Sequence, residues 1–273
     1  RQIKSTLASL NIPYYKNKAK TLAGLVTKLD LLESIFRKLR IADKLEKLWG
    51  RFRQNKIDRT ALIRPALAGV SIGHYRGGAG TFGAVVYDRK TGEPLILSNN
   101  HVLANTSLTD EKRAEIGDSI VQPAVMDKKS KELGVLAKYV PLNPYPSPNV
   151  VDCALAKPLS EQDISPEILE IGTVAGVCEP VVGMEIKKSG RTTGYTTGKI
   201  RALNATINVS YGNGQTIKFE KQIVASPMSR PGDSGSLVLN RENKAVGLLF
   251  AGSDLSTIIN PINYVLEMLG VRI

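Results

Sequence analysis

The chain has 273 residues, 42% of them hydrophobic and 23% charged, the balance of an ordinary folded domain. No run of 18 or more apolar residues occurs, which excludes a membrane-spanning helix, and two cysteines exclude a disulfide framework. Two histidines and no zinc-like ligand spacing argue against a metal site, and nothing points to a cofactor. The net charge of +12 is unevenly placed: residues 1–64 carry 16 Lys and Arg against 5 Asp and Glu, whereas residues 65–273 carry 21 against 20. Sparse cysteine usage leads us to expect a reducing, cytoplasmic setting. Residue 1 is Arg rather than Met, as expected of a processed or truncated chain.

In chain order, Leu22, Leu25, Leu29, Leu32, Phe36 and Leu39 follow a heptad-like spacing that predicts a helix over 18–41. Asp43 with Glu46 reads as a capping box that opens a second helix over 43–54. Residues 55–68 read as a linker. From residue 69, Gly and Pro punctuate short apolar or alternating runs: Gly83–Tyr87, Leu95–Leu97, Ile120–Gln122, Gly134–Ala137 and Val150–Ala154. A polar break near 157–170 precedes further runs at Gly172–Val177, Gly183–Lys187, Gly198–Asn208, Thr216–Val224, Ser236–Leu239 and Ala245–Phe250. Many short strands separated by turns suggest a barrel or sandwich. Pro261–Gly270 reads as a closing helix, with Pro in the first turn, Ile262, Val265, Leu266 and Leu269 on one side, and Gly270 as the stop. Cys153 is expected to be a small buried apolar residue.

Three segments carry chemistry. Arg230-Pro-Gly-Asp-Ser-Gly-Ser-Leu-Val238 reads as a serine nucleophile in a tight turn before a buried strand. Acyl transfer needs a hydroxyl, a base and amide donors aimed at the developing oxyanion. Gly232 allows a sharp turn that points the amides of Gly232 and Ser234 the same way. His101 follows an apolar run in Ser98-Asn-Asn-His-Val102. A histidine side chain titrates near neutrality, so His101 suits the role of general base. Asp152, in Val150-Val-Asp-Cys-Ala-Leu155, is expected to hold the histidine tautomer. His74 lies in a turn-rich segment, and a surface role is expected for it.

The order His101, Asp152, Ser234 resembles the trypsin/chymotrypsin-like serine proteases. Lys188-Ser-Gly-Arg-Thr-Thr-Gly-Tyr195 is similar to a segment of bacterial members such as α-lytic protease and the streptogrisins. Two departures stand out: Asn99 and Asn100 occupy the place of small residues before the histidine, and the disulfide-forming cysteines are missing. The resemblance covers about residues 68–270. It implies a mostly β fold of two antiparallel barrels, over about 69–157 and 171–260, closed by the helix at 261–270. The basic helical extension, residues 1–64, precedes the protease domain, residues 65–273. The site then falls in the cleft between the barrels. The resemblance further implies that Arg191 pairs with Asp233 to support the oxyanion loop, that Met228 sits near the base of the substrate pocket, and that Phe250, Ala251 and Gly252 form its wall. No acid stands at the pocket base and no further histidine is free, so a small or apolar P1 side chain is expected.

The activity so implied is a serine endopeptidase acting on proteins or peptides. The competing class is a latent or non-catalytic scaffold working through its basic extension. For residues 18–54 three readings stay open: self-association into a homo-oligomer or packing on the barrels, a prosegment that blocks the cleft, and binding of nucleic acid or another anionic surface.

Overall fold

The computed structural model describes residues 57–127, 129–211 and 215–273. The two expected N-terminal helices lie outside those residues. Asp58–Ile273 forms a compact unit. Its first half contains β1 (Ala66–Ala68), β2 (Ser71–His74), β3 (Gly80–Thr81), β4 (Ala84–Asp88), β5 (Pro94–Ser98), the short helix α1 (Asn100–Leu103), β6 (Ser119–Gln122), β7 (Lys131–Tyr139), β8 (Pro148–Asn149), β9 (Ala154–Pro158) and β10 (Ile164–Ile168). The second half contains β11 (Glu185–Gly190), β12 (Gly194–Tyr211), β13 (Gln215–Ala225), β14 (Leu237–Asn240), β15 (Ala245–Gly252), β16 (Thr257–Pro261), the helix α2 (Ile262–Leu269) and β17 (Val271–Arg272).

The strands build two curled sheets. One runs β17-β4-β5-β9-β7-β6-β2-β3, and the other runs β12-β11-β14-β15-β16-β13-β8. In the second, β12 also pairs with β13, which closes the sheet on itself and removes two edges. Strand β5 reads Pro-Leu-Ile-Leu-Ser and is buried over its last four residues, as an apolar run inside a barrel wall should be. The first core holds Ile72, Phe82, Ile96, Leu136 and Leu155, and the second holds Ile186, Ile200, Ile223, Val246 and Leu249. A third, smaller cluster of Leu108, Leu142, Ile217, Phe219, Phe250 and Ile258 joins residues from both halves.

The two-barrel β architecture and the closing helix match the expectations. Pro261 caps α2, the side formed by Ile262, Val265, Leu266 and Leu269 is buried, and Gly270 ends the helix at φ +76°. The helix packs into the first core, not the second, and β17 then pairs with β4.

Several local expectations are corrected. Residues 58–68 are part of the compact unit and not a linker. Ala66 and Ala68 are fully buried, β1 pairs in parallel with β10, and the Arg59 guanidinium donates to the Gly69 carbonyl and to Ser189 Oγ. Their small side chains gave no hydrophobic period to read. Gly172–Val177 makes only isolated bridges. Val150–Cys153 belongs to no strand, so Asp152 sits just before β9. Strands β2 and β16, absent from the sequence reading, are short and buried.

Phe82 is fully buried in the first core. Phe82→Ala is expected to lower the free energy of unfolding by about 3–5 kcal/mol through lost burial and a residual cavity. Denaturant unfolding followed by circular dichroism measures this.

Candidate active site

His101 lies in α1, immediately after β5, and two asparagines hold that turn. Asn99 Nδ2 donates to the Asp152 carbonyl at 2.6 Å. Asn100 Nδ2 donates to the carbonyls of Ser107 and Val140, and Asn100 Oδ1 accepts from the Ser107 amide. Both side chains are fully buried. Of the polar pair that departs from the usual small residues, Asn99 therefore ties the histidine turn to the aspartate segment, and Asn100 ties it to Ser107 and to Val140 after β7.

Asp152 is fully buried. Its Oδ2 lies 2.6 Å from His101 Nδ1 and its Oδ1 accepts the His101 backbone N–H at 3.2 Å. A third donor, the Tyr211 hydroxyl, reaches Oδ2 at 2.6 Å. Burial pushes the carboxyl upward, but the His101 ring and these donors outweigh it and hold Asp152 below the usual carboxylate range. The Asp152 amide donates to Asn260 Oδ1, Asn260 Nδ2 donates to Gln222 Oε1, and Gln222 Nε2 donates to the Val150 carbonyl. Asn260 and Gln222 stand on β16 and β13, so the second barrel fixes the aspartate of the first. Neither residue has a sequence signature.

Ser234 sits in the turn before β14. Gly232 and Gly235 adopt φ +96° and +93°, a region costly for other residues. A Cβ on Gly235 would also lie 2.4 Å from the Thr81 carbonyl oxygen. Thr81, on β3, ties the turn to the first barrel. Its amide donates to the Ser234 carbonyl at 2.7 Å, its hydroxyl donates to the Gly232 carbonyl, and its own carbonyl accepts Ser98 Oγ. Gly80 stands between Val102, beside His101, and Ser234: a Cβ there would lie 2.4 Å from Val102 Cγ2 and 3.0 Å from the Ser234 carbonyl. The Ser234 hydroxyl donates to the Phe250 carbonyl at 3.2 Å and not to His101. The amides of Gly232 and Ser234 donate to no acceptor among the described residues.

The expected Arg191–Asp233 ion pair is not formed. Arg191 Nε donates to Asp127 Oδ2 at 2.8 Å, and a second guanidinium nitrogen contacts Asp127 Oδ1. Asp233 is paired instead with Lys188, at 3.1 Å, with both side chains fully buried. Asp233 Oδ1 accepts the amides of Thr192 and Thr193, and its Oδ2 accepts the Arg230 amide and the Thr193 hydroxyl. The cause is local. Lys188 lies inside β11, opposite Val238 of β14, and projects inward toward the turn. Arg191 follows the end of β11, where the chain turns toward Asp127 of the first barrel. Burial raises Asp233, but Lys188 and the surrounding donors win and leave it below its ordinary range. Burial lowers the Lys188 ammonium against the pull of Asp233.

His74 is also corrected: it is fully buried, not at the surface. Its Nε2 lies 3.0 Å from Asp118 Oδ2, while Nδ1 accepts from the Arg76 amide and from Asn105 Nδ2. Burial lowers its pKa below the ordinary 6.5, against the pull of Asp118. Two donors at Nδ1 place its proton on Nε2.

Of the expected pocket residues, Met228 is buried with its side chain in the second core, and it also lines a cavity of about 550 Å³ with Thr192, Thr193, Thr196, Ser229 and Arg230. Phe250 belongs to the third cluster, and Ala251 and Gly252 end β15, with Gly252 exposed beside Ser229. Cys153 is fully buried, as expected. Among the described residues no cluster of His, Cys, Asp and Glu could hold a metal ion, and no helix is long and apolar enough to cross a membrane.

With this geometry in place, the chain resembles the chymotrypsin-like bacterial serine proteases and has their double-barrel fold. No protein-family model matches it. It is 36% identical over 80 residues to serine protease 2 of Streptomyces fradiae, covering 29% of this chain and 43% of that protein. It is 31% identical over 103 residues to glutamyl endopeptidase 2 of Streptomyces griseus, covering 37% of this chain and 53% of that protein. The chain thus spans about half the length of these relatives. Among solved structures, Nocardiopsis protease matches over 76% of this chain and 97% of its own, with a TM-score of 0.55 and 22% identity.

Two measurements probe this region. Lys188→Met leaves the Asp233 charge buried and unpaired, and should cost about 3–5 kcal/mol of stability. Arg191→Ala, at a partly exposed pair, should cost distinctly less, and thermal or denaturant unfolding of the two variants separates them. Stability should also fall on acidification in two stages. A histidine whose folded pKa is depressed loses its contribution as pH drops below the unfolded value of 6.5, which is the His74 stage. Depressed carboxyls are fully stabilising above the unfolded value of 3.8 and lose that contribution as pH falls through the lower folded values, which is the Asp152 and Asp233 stage. Unfolding midpoints collected from pH 8 to pH 3 should show both, and His74→Asn should remove the first.

Proposed function

We propose that the protein is a serine endopeptidase of chymotrypsin-like type. The observation that carries this reading is the buried Asp152 carboxylate, 2.6 Å from His101 Nδ1, at the seam where the Ser234 turn meets the first barrel. An ionised carboxylate only accepts, so the proton rests on Nδ1 and the lone pair of Nε2 is free to act as base. Ser234 Oγ attacks the scissile carbonyl while its proton passes to His101 Nε2. The amides of Gly232 and Ser234 stabilise the oxyanion, and the imidazolium then protonates the leaving amine. The hydroxyl bond from Ser234 to Phe250 is a resting arrangement, since catalytic hydrogen bonds commonly align only when substrate is bound. The Lys188–Asp233 pair supports a preformed turn that requires no chain cleavage.

A small or apolar P1 side chain is the preference we propose, with Met228 and the neighbouring threonines as its surroundings. Preference for glutamate is disfavoured, because both histidines are already committed to Asp118 and Asp152. A purely non-catalytic scaffold is not favoured either, since it gives no reason for the buried His101–Asp152 pair. Self-association through residues 18–54, or their binding to an anionic surface, remains a proposal supported by the heptad seam and the local charge alone.

A fluorophosphonate probe should label Ser234 in the full-length protein, and Ser234→Ala should abolish both labelling and peptide hydrolysis, the latter by on the order of 10⁶. Asp152→Asn should lower turnover roughly 10⁴-fold by favouring the wrong histidine tautomer. Peptides with Ala or Leu at P1 should be cleaved ahead of those with Glu or Arg. Wild-type hydrolysis by Ser234→Ala would overturn the assignment.

A further inference from the structure

Strands β12 and β13 form a long hairpin that begins in the wall of the second barrel, at Ile200 opposite Ala225, and extends to Tyr211 opposite Gln215. Three irregularities in its register fall between Ile200 and Ile207, where the ribbon leaves the wall. Near its end, Tyr211 reaches the site. The ring lies edge-on to the His101 imidazole, with centroids 5.6 Å apart and planes at 73°. On its other side Tyr211 meets Phe219, 6.2 Å away, and Phe219 meets Phe250 at 4.7 Å. Phe250 is the residue whose carbonyl accepts the Ser234 hydroxyl. An aromatic row thus runs from the aspartate to the serine, seated in the third core cluster.

A phenylalanine would fill the same space, so the hydroxyl needs its own reason. Asp152 Oδ2 receives both His101 Nδ1 and the Tyr211 O–H, each at 2.6 Å. Burial and the Asp152 charge push the Tyr211 phenol well above its ordinary value, so it remains a donor throughout the working range. The other titratable neighbour, Cys153, is likewise raised by burial and by Asp152, and stays a neutral thiol. The phenol is therefore a fixed neutral donor to a fully buried charge.

We infer that Tyr211 is a positioning residue for the His101–Asp152 pair: its hydroxyl anchors Asp152 Oδ2 in the plane of the imidazole and shares the carboxylate's negative charge. This rests on the proposed roles of His101, Asp152 and Ser234. Without the hydroxyl, Asp152 turns its full charge on His101, which favours the imidazolium and leaves the carboxylate freer to rotate. The base is then both harder to keep neutral and less well aimed.

The test compares wild type with Tyr211→Phe in the full-length protein. The readouts are the rate of fluorophosphonate labelling of Ser234 against pH, and kcat and KM on a peptide that the wild type cleaves. The variant should lose roughly tenfold in labelling rate and kcat, with KM nearly unchanged, as for one lost hydrogen bond to a charged group. The acid limb of its pH profile should move up by about half a unit. An unchanged rate, or a loss of rate with the acid limb in place, overturns the proposal while leaving the triad intact. If Tyr211→Phe does not fold, 3-fluorotyrosine at position 211 supplies a stronger donor and should move the limb downward; no movement overturns the proposal. If the wild type is never labelled at Ser234, the protease reading falls by itself. The low-field proton signal of His101 Nδ1–H still decides the Tyr211 contact, because it must shift between wild type and Tyr211→Phe, and a stationary signal overturns the proposal.

Discussion

The buried charge of Asp152 is the constraint around which the rest of the unit is arranged. A carboxylate taken out of water is tolerated only where donors replace its hydration, and here three donors come from two places in the chain. The His101 ring and amide come from the first barrel, and the Tyr211 hydroxyl comes from the second. Behind the carboxylate, Asn99, Asn260 and Gln222 bind the backbone around it. Each barrel is thereby required by the other. The first supplies the acid, and the second supplies side chains that complete its hydrogen bonding.

A second buried carboxylate, Asp233, does for the nucleophile what Asp152 does for the base. Its two oxygens collect amides from Thr192, Thr193 and Arg230, the Thr193 hydroxyl and the Lys188 ammonium. That set ties the Ser234 turn to the end of β11 and to the link that leads into β12. Thr81 then pins the same turn to the first barrel. The two carboxylates are thus separate anchors, one for each half of the proton-transfer pair, and Thr81 and Ser98 connect them across the seam. Such a frame holds the reacting groups on rigid elements, which is the condition for electrostatic preorganisation.

Arg191 shows how a motif can name the right loop and the wrong side chain. The segment Lys188–Tyr195 does lie against Asp233, as its resemblance implied. Which of its two cations enters the interior depends on where β11 ends. Lys188 is still within the strand and faces inward, while Arg191 is past the strand and reaches Asp127 on the opposite barrel. Strand alternation is visible in a sequence only when the strand end is known, and here a glycine, Gly190, conceals it.

The amino-acid sequence by itself determined the chemistry: His101, Asp152 and Ser234 in their order, the glycines that bend the Ser234 turn, the β-rich punctuation, and the amphipathic closing helix. These are local properties, written in residue type and spacing, and a turn or a helix needs no distant partner to be recognised. Only the tertiary structure decided the partners of the buried polar groups. Tyr211, Asn260, Gln222 and Thr81 lie 59 to 153 residues from the triad members they support in the chain numbering, on strands whose polar residues look like any others. The burial of His74 is illegible in the sequence for the same reason, since it depends on Asp118 and Asn105, which come near it only when β2, β6 and the turn after α1 assemble. Hydrogen bonds between residues far apart in the chain leave no period and no motif, because each needs a single donor and a single acceptor and imposes nothing on the residues around them.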